Sequence, residues 1–147
     1  MTKKIAVLNG PNLNLLGTRE PETYGSTTLA EIESLVNAQA EKHGFDLDFR
    51  QTNIEGELVD WLQQAGKDCS GIILNAAAYT HTSIALHDAV AAIDTPVVEV
   101  HLSNVFARED YRHHSYISDV AVGVICGFGA NGYLLAVDAI ASMLRDN

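Results

Sequence analysis

The chain has 147 residues, of which 47% are hydrophobic and 19% charged, and its formal net charge at pH 7 is −10. A chain of this length buries enough surface to fold as one domain, residues 1–147, without disulfides or a structural metal. The negative charge argues against nucleic acids and anionic membranes as partners, which leaves small molecules and proteins.

Two features predict a cytoplasmic protein. The apolar stretch that follows Lys4 is too short for a signal sequence or a membrane span. Cys69 lies at the polar end of a helical segment and Cys126 lies inside an apolar run, so reduced thiols are expected instead of a bridge.

Short apolar segments alternate along the chain with segments of helical periodicity. The predicted strands are 5–8, 45–49, 71–74, 96–100 and 121–126, and the predicted helices are 28–43, 55–65, about 83–93 and about 131–144. A capping box formed by Thr28 and Glu31 marks the first helix start, and Gly44 and Gly66 mark two helix ends. This alternation predicts a flavodoxin-like three-layer α/β sandwich with a five-stranded parallel sheet in the order 2-1-3-4-5.

Two long connections, 10–25 and 102–115, have little helical or strand pattern. In an open parallel sheet the ligand binds beyond the carboxyl ends of the strands, and long loops at that edge are commonly binding loops. Three of the five arginines, Arg19, Arg108 and Arg112, fall in these connections. The loops therefore predict a site for a small anion.

Two motifs are set aside. Residues 127–132 match G-x-G-x-x-G, but a dinucleotide site also needs a second strand and an acidic residue about 20 positions further on, and neither is present. The glycines are therefore interpreted as a tight turn with close helix packing. The side chains of the adjacent His113 and His114 diverge and no other ligand spacing accompanies them, so no metal is expected.

Three clusters carry the candidate chemistry. In the first loop, Tyr24 taken alone is an ordinary surface tyrosine. A cation within ~4–6 Å, such as Arg19 or Arg108, would lower the pKa of its phenol by ~1–3 and allow the phenolate to act as a base. In the second cluster, Glu99 and His101 lie on one side of a strand, where the carboxylate can fix the imidazole. A hydrogen-bonded structural histidine is the alternative.

The backbone amides of Leu102 and Ser103 complete the second cluster as possible donors to a carboxylate. The third cluster places Asn75 and His81 before a helix N-terminus, where Thr82 or Ser83 is interpreted as a simple N-cap. Arg112, taken alone, is equally well explained as a solvated charge.

Together with segments 104–109, 112–115 and 123–129, these clusters resemble the type II 3-dehydroquinate dehydratases over nearly the whole chain. The resemblance implies elimination of water from 3-dehydroquinate through an enolate, without cofactor or metal, to give 3-dehydroshikimate in the shikimate pathway or in quinate catabolism. It also implies a homododecamer built from trimers. Ile54 and the Ala76–Ala77 pair depart from the family pattern at positions with no catalytic role.

The resemblance implies a role for each site residue. The implied catalytic residues are Tyr24 as base, Arg19 and Arg108 as its activators, His101 as acid with Glu99 behind it, and Asn12 as holder of a water that stabilises the enolate. The implied binding residues are Asn75, Leu102 and Ser103 for the carboxylate and leaving hydroxyl, and His81, Arg112 and a neighbouring subunit's Asp88 for the ring hydroxyls.

The helix 83–93 has two stripes. The stripe predicted to pack on the sheet contains Leu86, Ala89, Val90 and Ile93, and the opposite stripe contains Ile84, His87, Asp88 and Ala91. Asp88 is therefore predicted to point away from its own core, either as a solvated acid or as part of a subunit interface.

Two other functions are compatible with parts of the sequence. Sheet order alone permits a flavodoxin-like FMN or nucleotide-binding protein, but the 10–14 loop has one glycine and no Ser/Thr-rich phosphate cradle. The second is a non-enzymatic interaction module, but that function does not explain why tyrosine, histidine and arginine residues converge at one edge of the predicted sheet.

The lysine positions predict the outcome of a trapping experiment. The four lysines, Lys3, Lys4, Lys42 and Lys67, lie away from the predicted carboxyl edge, so no substrate imine is expected. Borohydride added together with 3-dehydroquinate should leave both the activity and the mass of the protein unchanged. A covalent adduct on any lysine, seen by mass spectrometry, would overturn the enolate mechanism.

Overall fold

The computed structural model describes residues 2–18 and 20–145, with the backbone alone for Thr23 and Tyr24. The strands are β1 (Lys3–Asn9), β2 (Phe45–Gln51), β3 (Gly71–Asn75), β4 (Val97–His101) and β5 (Gly123–Cys126). The helices are α1 (Pro21–Tyr24), α2 (Leu29–Lys42), α3 (Glu55–Asp68), α4 (Ile84–Ala91) and α5 (Asn131–Arg145). The strands form one parallel sheet in the order β2-β1-β3-β4-β5, which confirms the predicted topology.

The sheet is covered on both faces. Alternate side chains of β1 point to opposite faces, so Ile5 and Val7 pack with α2 and α5 while Ala6 and Leu8 pack with α3 and α4. Parallel strands buried on both faces are nearly continuous apolar runs, which is the pattern of the central strands here. Across the described residues, no helix combines the length and apolar character that crossing a membrane requires.

Most helix signals in the sequence are confirmed. Thr28 and Glu31 form the capping box of α2, Gly44 turns the chain into β2 with a φ of 76°, and the Ser83 side chain accepts a hydrogen bond from the Leu86 amide as the cap of α4. The predicted end of α3 at Gly66 is wrong, because the helix continues to Asp68. A Cβ at Gly66 would lie 2.5 Å from the Ile93 side chain, so this glycine serves close packing.

Other boundaries also shift. Helix α4 ends at Ala91, before the predicted Ile93, and β5 begins at Gly123, after the predicted start at 121. The long connections contain α1 and three short 3-10 helices, Leu13–Leu15, Val105–Ala107 and Asp110–Arg112, and a fourth, Ala77–His81, follows β3. Elements of three to five residues are too short to show a period.

The glycine-rich turn and the cysteines agree with prediction. Gly127 and Gly129 adopt φ of 95° and 58°, which makes the tight turn before α5. Gly132 is buried on α5, where a Cβ would lie 3.5 Å from Ile125. Cys69 and Cys126 carry free thiols.

The two edges of the sheet differ in character. Edge strand β2 carries Asp48 and Arg50, which form an ion pair of 3.0 Å. At the opposite edge, Val124 of β5 is 44% exposed and the preceding Val122 is 57% exposed.

Candidate active site

A cavity of about 230 Å³ opens where β1, β3 and β4 end. Eight of the residues singled out from the sequence line it: Asn12, Asn75, His81, His101, Leu102, Ser103, Arg108 and Arg112. Residues from three separate stretches of the sequence therefore meet at the carboxyl edge of one sheet. Apolar side chains complete the wall, among them Leu13, Leu16 and Val105.

Of the other four predicted site residues, the structure describes two in full. Glu99 does not line the cavity and is buried behind His101, with 1% of its surface exposed. Asp88 lies on α4 with 73% of its side chain exposed. Arg19 lies outside the described residues, and so does the side chain of Tyr24, whose backbone ends α1.

The ends of β1 and β3 are joined by a buried chain of hydrogen bonds. The Asn75 amide donates to the Tyr133 hydroxyl (2.9 Å), which donates to Asn9 Oδ1 (2.7 Å), and the Asn9 amide donates to the Arg50 carbonyl (2.9 Å). Asn75 Oδ1 accepts from the Ala77 amide (3.1 Å). Both ends of the Asn75 side chain are thus held before any ligand binds.

Sequence reasoning missed Tyr133, which lies on the buried face of α5 with no exposed surface. Burial raises the pKa of its phenol, although the hydrogen bond from Asn75 acts in the opposite direction. Tyr133 is therefore a neutral donor and acceptor at physiological pH. A buried tyrosine hydroxyl requires a partner, and that requirement was the available signal.

The backbone between β1 and the first 3-10 helix is tightly placed. Gly10 donates to the Asn75 carbonyl (2.8 Å), and a Cβ at Gly10 would lie 2.4 Å from the Ala76 carbonyl oxygen, so only glycine fits. Asn12 adopts a φ of 70°, and its backbone N–H donates to Asn53 Oδ1 (3.0 Å). Asparagine tolerates this left-handed conformation better than most residues do. Asn12 is thereby fixed at the rim of the cavity.

His101 and Glu99 form the contact that their spacing predicts. His101 Nε2 lies 2.5 Å from Glu99 Oε2, and both side chains are almost fully buried. Burial opposes ionisation of Glu99, but hydrogen bonds from His101, Ser118 and Ser115 outweigh it, so the pKa of this carboxyl lies below its usual value. A buried carboxylate therefore stands behind an imidazole that lines the cavity.

His81 is oriented from its other side. Its ring stacks on His101 with centroids 6.3 Å apart, and its Nδ1–H donates to the His114 carbonyl (2.8 Å). Desolvation by burial lowers the pKa of His81 despite that hydrogen bond, and the charges of His101 and Arg112 lower it further. In the neutral ring Nε2 is left as an acceptor for a ligand hydroxyl.

The two described arginines of the site place positive charge on an acidic protein. Arg108 Nη1 donates to the Ser103 hydroxyl (3.4 Å), and Arg112 Nε donates to Glu109 (2.5 Å). The hydrogen bond from Arg112 holds the pKa of the exposed Glu109 carboxyl below its usual value. The cavity is therefore suited to an anion, as the loop composition predicts.

The adjacent histidines of the second loop diverge, as predicted. His113 Nε2 donates to the Arg108 carbonyl (2.9 Å), whereas the His114 ring packs edge-on against Tyr116. Within residues 2–18 and 20–145, no group of three histidine, cysteine or acidic side chains is placed to hold a metal ion.

Comparison with known proteins gives a consistent result. The sequence profile of the family described as Dehydroquinase class II matches residues 3–141. The chain is 63% identical to 3-dehydroquinate dehydratase 2 of Pseudomonas aeruginosa, with 96% of this chain and 95% of the relative covered. It is 59% identical to a 3-dehydroquinate dehydratase of an Acidovorax species, covering 96% and 99%. The crystal structure of type II dehydroquinase from Propionibacterium acnes superimposes with a TM-score of 0.93 at 42% identity, covering 97% and 98%.

The hydrogen bonds of the Tyr133 hydroxyl predict a measurable loss of stability when that hydroxyl is removed. Tyr133→Phe removes one oxygen and leaves Asn9 Oδ1 without its donor and the Asn75 amide without its acceptor, both in buried surroundings. The free energy of unfolding should fall by about 1–3 kcal/mol in denaturant titrations. Tyr111→Phe, at a tyrosine 69% exposed, is the matched control and should change it by less than about 0.5 kcal/mol. Equal stability of the two variants would contradict the role of the network.

Proposed function

The chain belongs to the class II dehydroquinase family, and on that basis we propose that it catalyses the elimination of water from 3-dehydroquinate to give 3-dehydroshikimate. The observation that carries the proposal is the cavity at the carboxyl edge, where amide, imidazole and guanidinium groups gather around a space of about 230 Å³. These are the groups required to bind a small carboxylate and to stabilise an enolate.

The proposed reaction proceeds in two steps. Tyr24, as a phenolate, removes the proton beside the ketone, and the electron pair moves to the carbonyl oxygen to give an enolate. Asn12, through a water, stabilises that oxygen. The enolate then collapses and expels the β-hydroxyl, which takes a proton from His101 and leaves as water. Transfer of the proton from Tyr24 back to His101 through solvent resets the enzyme.

Charge at the cavity supports the assignment of the base. A tyrosine of ordinary pKa is almost fully protonated at pH 7, and a nearby cation favours the phenolate. Arg108 lines the cavity and Arg19 belongs to the same loop as Tyr24. We assign both arginines this activating role. All the groups that the reaction uses are side chains and water, and no cofactor or metal enters it.

The remaining cavity residues are assigned to binding. Asn75, with the backbone amides of Leu102 and Ser103, holds the substrate carboxylate and the leaving hydroxyl. His81 and Arg112 hold ring hydroxyls, and the acceptor Nε2 of His81 suits a hydroxyl donor. The single α/β domain works in the cytoplasm, where the two free thiols remain reduced.

We assign Asp88 to the active site of a neighbouring subunit. It lies outside its own cavity, 73% exposed, and His87 Nδ1 lies 3.0 Å from its carboxylate. Ile84 on the same stripe is 59% exposed, whereas Leu86 on the opposite stripe is fully buried. This pattern supports a subunit interface on α4, in trimers that assemble into a dodecamer.

The flavodoxin-like alternative is not supported. The family and the named relatives are dehydroquinases and dehydratases. The loop after β1, where a phosphate-binding turn would be needed, contains the 3-10 helix Leu13–Leu15 and no Ser/Thr-rich cradle.

Tyr24→Phe tests both the activity and the base. The wild type should convert 3-dehydroquinate to a product with enone absorbance, and the variant should lose turnover by about 10²–10⁴-fold because only the ionisable oxygen is removed. Circular dichroism checks that the fold is kept. No enone from the wild type would overturn the proposed function. A variant turnover within about tenfold of the wild type, which is about 1.4 kcal/mol in the activation barrier, would reject only the assignment of Tyr24 as the base and would leave the proposed function standing.

Subunit mixing tests the assignment of Asp88. Asp88→Asn protein and Tyr24→Phe protein, each weakly active, are dissociated together and reassembled. Some mixed sites should then combine an intact Tyr24 with an intact neighbouring Asp88, so activity should exceed the sum of the separate variants. Each variant reassembled with itself is the control. Purely additive activity in mixed oligomers, verified by mass spectrometry, would mean that Asp88 does not act across subunits.

A further inference from the structure

Both oxygens of the buried Glu99 carboxylate have hydrogen-bond partners. Its Oε2 lies 2.5 Å from His101 Nε2 and accepts from the Ser115 hydroxyl at 2.9 Å, while its Oε1 accepts from the Ser118 hydroxyl at 2.6 Å. Neither serine belongs to the chemistry assigned above. Ser115 is the last residue of the long connection 102–115, and Ser118 follows three residues later.

The direction of the Ser115 hydroxyl is fixed by its other contacts. Its oxygen accepts from the Ile117 amide (3.0 Å) and from the Ser118 amide (3.1 Å). A hydroxyl oxygen has two acceptor positions and one proton, so the proton must be donated to Glu99. Ser115 therefore cannot accept a proton from Glu99, and its geometry favours the ionised carboxylate.

An ionised Glu99 determines which nitrogen of His101 carries a proton. A carboxylate is an acceptor only, so Nε2 of His101 must bear hydrogen and donate it. The single ring nitrogen left for exchange with a bound substrate is Nδ1. The second hydrogen bond partner of a histidine commonly sets its tautomer in this way.

The same segment also holds the other imidazole. The His114 carbonyl accepts from His81 Nδ1, and the Tyr116 amide donates to the Thr80 carbonyl (2.9 Å). Ile117, fully buried in the core shared with α3 and α4, anchors the segment between its two serines. Residues 114–118 thus contact His81 directly and are linked to His101 through Glu99.

We propose that Ser115 and Ser118 are positioning residues, which act through Glu99 to fix the tautomer and orientation of His101 while His114 fixes His81. This inference rests on the proposed function for its kinetic consequence. The hydroxyl donors fix the carboxylate, the carboxylate fixes Nε2, and Nδ1 is aligned for proton delivery to the leaving hydroxyl.

Ser118→Ala is the cleanest test, because the hydroxyl of Ser118 bonds to Glu99 while its backbone amide, which bonds Ser115, is retained. The dehydratase kcat should fall about tenfold while KM changes less than twofold, since the lost alignment affects proton delivery more than binding. Ser118→Thr keeps the hydroxyl at an exposed position and should restore kcat. Ser34→Ala, on the exposed side of α2, is the control and should leave kcat unchanged.

The pH profile separates positioning from a general loss of stability. His101 is faced by Glu99 from its own strand and by His81 from the Ala77–His81 helix, with Arg108 and Arg112 in the same cavity. A Glu99 carboxylate that has lost one donor is held less firmly against Nε2, so it stabilises a protonated His101 less well. The basic limb of kcat should therefore move to lower pH in Ser118→Ala. An unmoved or raised limb, or kcat within twofold of the wild type, would overturn the proposal.

A measurement without substrate keeps the inference distinct from the proposed function. Nitrogen-15 NMR of histidine-labelled wild type should show the neutral His101 ring protonated at Nε2, and Ser115→Ala/Ser118→Ala should show a mixture of tautomers. Retained Nε2 protonation in a folded double variant would reject the positioning role, whether or not 3-dehydroquinate is the substrate. If the wild type lacks dehydratase activity but the double variant still shows the tautomer change, the proposed function is rejected and the positioning role of the two serines stands.

Discussion

Buried polar groups at a strand end must find partners inside the protein, and the hydroxyl of Tyr133 meets this requirement for two strands at once. It bonds Asn9 at the end of β1 and Asn75 at the end of β3. Those strands are neighbours in the sheet, and the loops that begin there form the walls of the cavity. Helix α5, at the far end of the chain, therefore fixes the starting points of loops more than fifty residues away.

The chemistry of the site follows from groups held before a ligand arrives. Asn75 is bonded at both ends of its amide, His81 is bonded at Nδ1, and His101 faces a buried carboxylate. Preorganised dipoles and charges stabilise a developing enolate without rearranging during the reaction. The positive charges at the cavity add a local attraction for an anionic substrate, although the whole chain carries −10.

The sequence predicted what depends on long periods or short separations. Strand order follows from the alternation of strands and helices along the chain. The four longer helices follow from periodicity within each element, and the contact between Glu99 and His101 follows from a separation of two residues in one strand. The short helices in the loops were not predicted, because three to five residues are too few to show a period. The partners of Tyr133 and Ser118 escaped because their hydrogen bonds span from 19 to 124 residues. Such pairs are set by packing, which one sequence does not encode locally.

The unequal edges of the sheet bear on how the isolated chain behaves in acid. An edge strand exposes unpaired backbone groups, and charged side chains such as those of β2 discourage another strand from adding there. At β5 the exposed valines offer no such protection. Mutual repulsion between chains of net charge −10 keeps them apart near neutral pH, and protonation of the carboxylates removes it. Acid-induced aggregation should therefore begin at β5, with β2 remaining solvent-facing in the earliest aggregates.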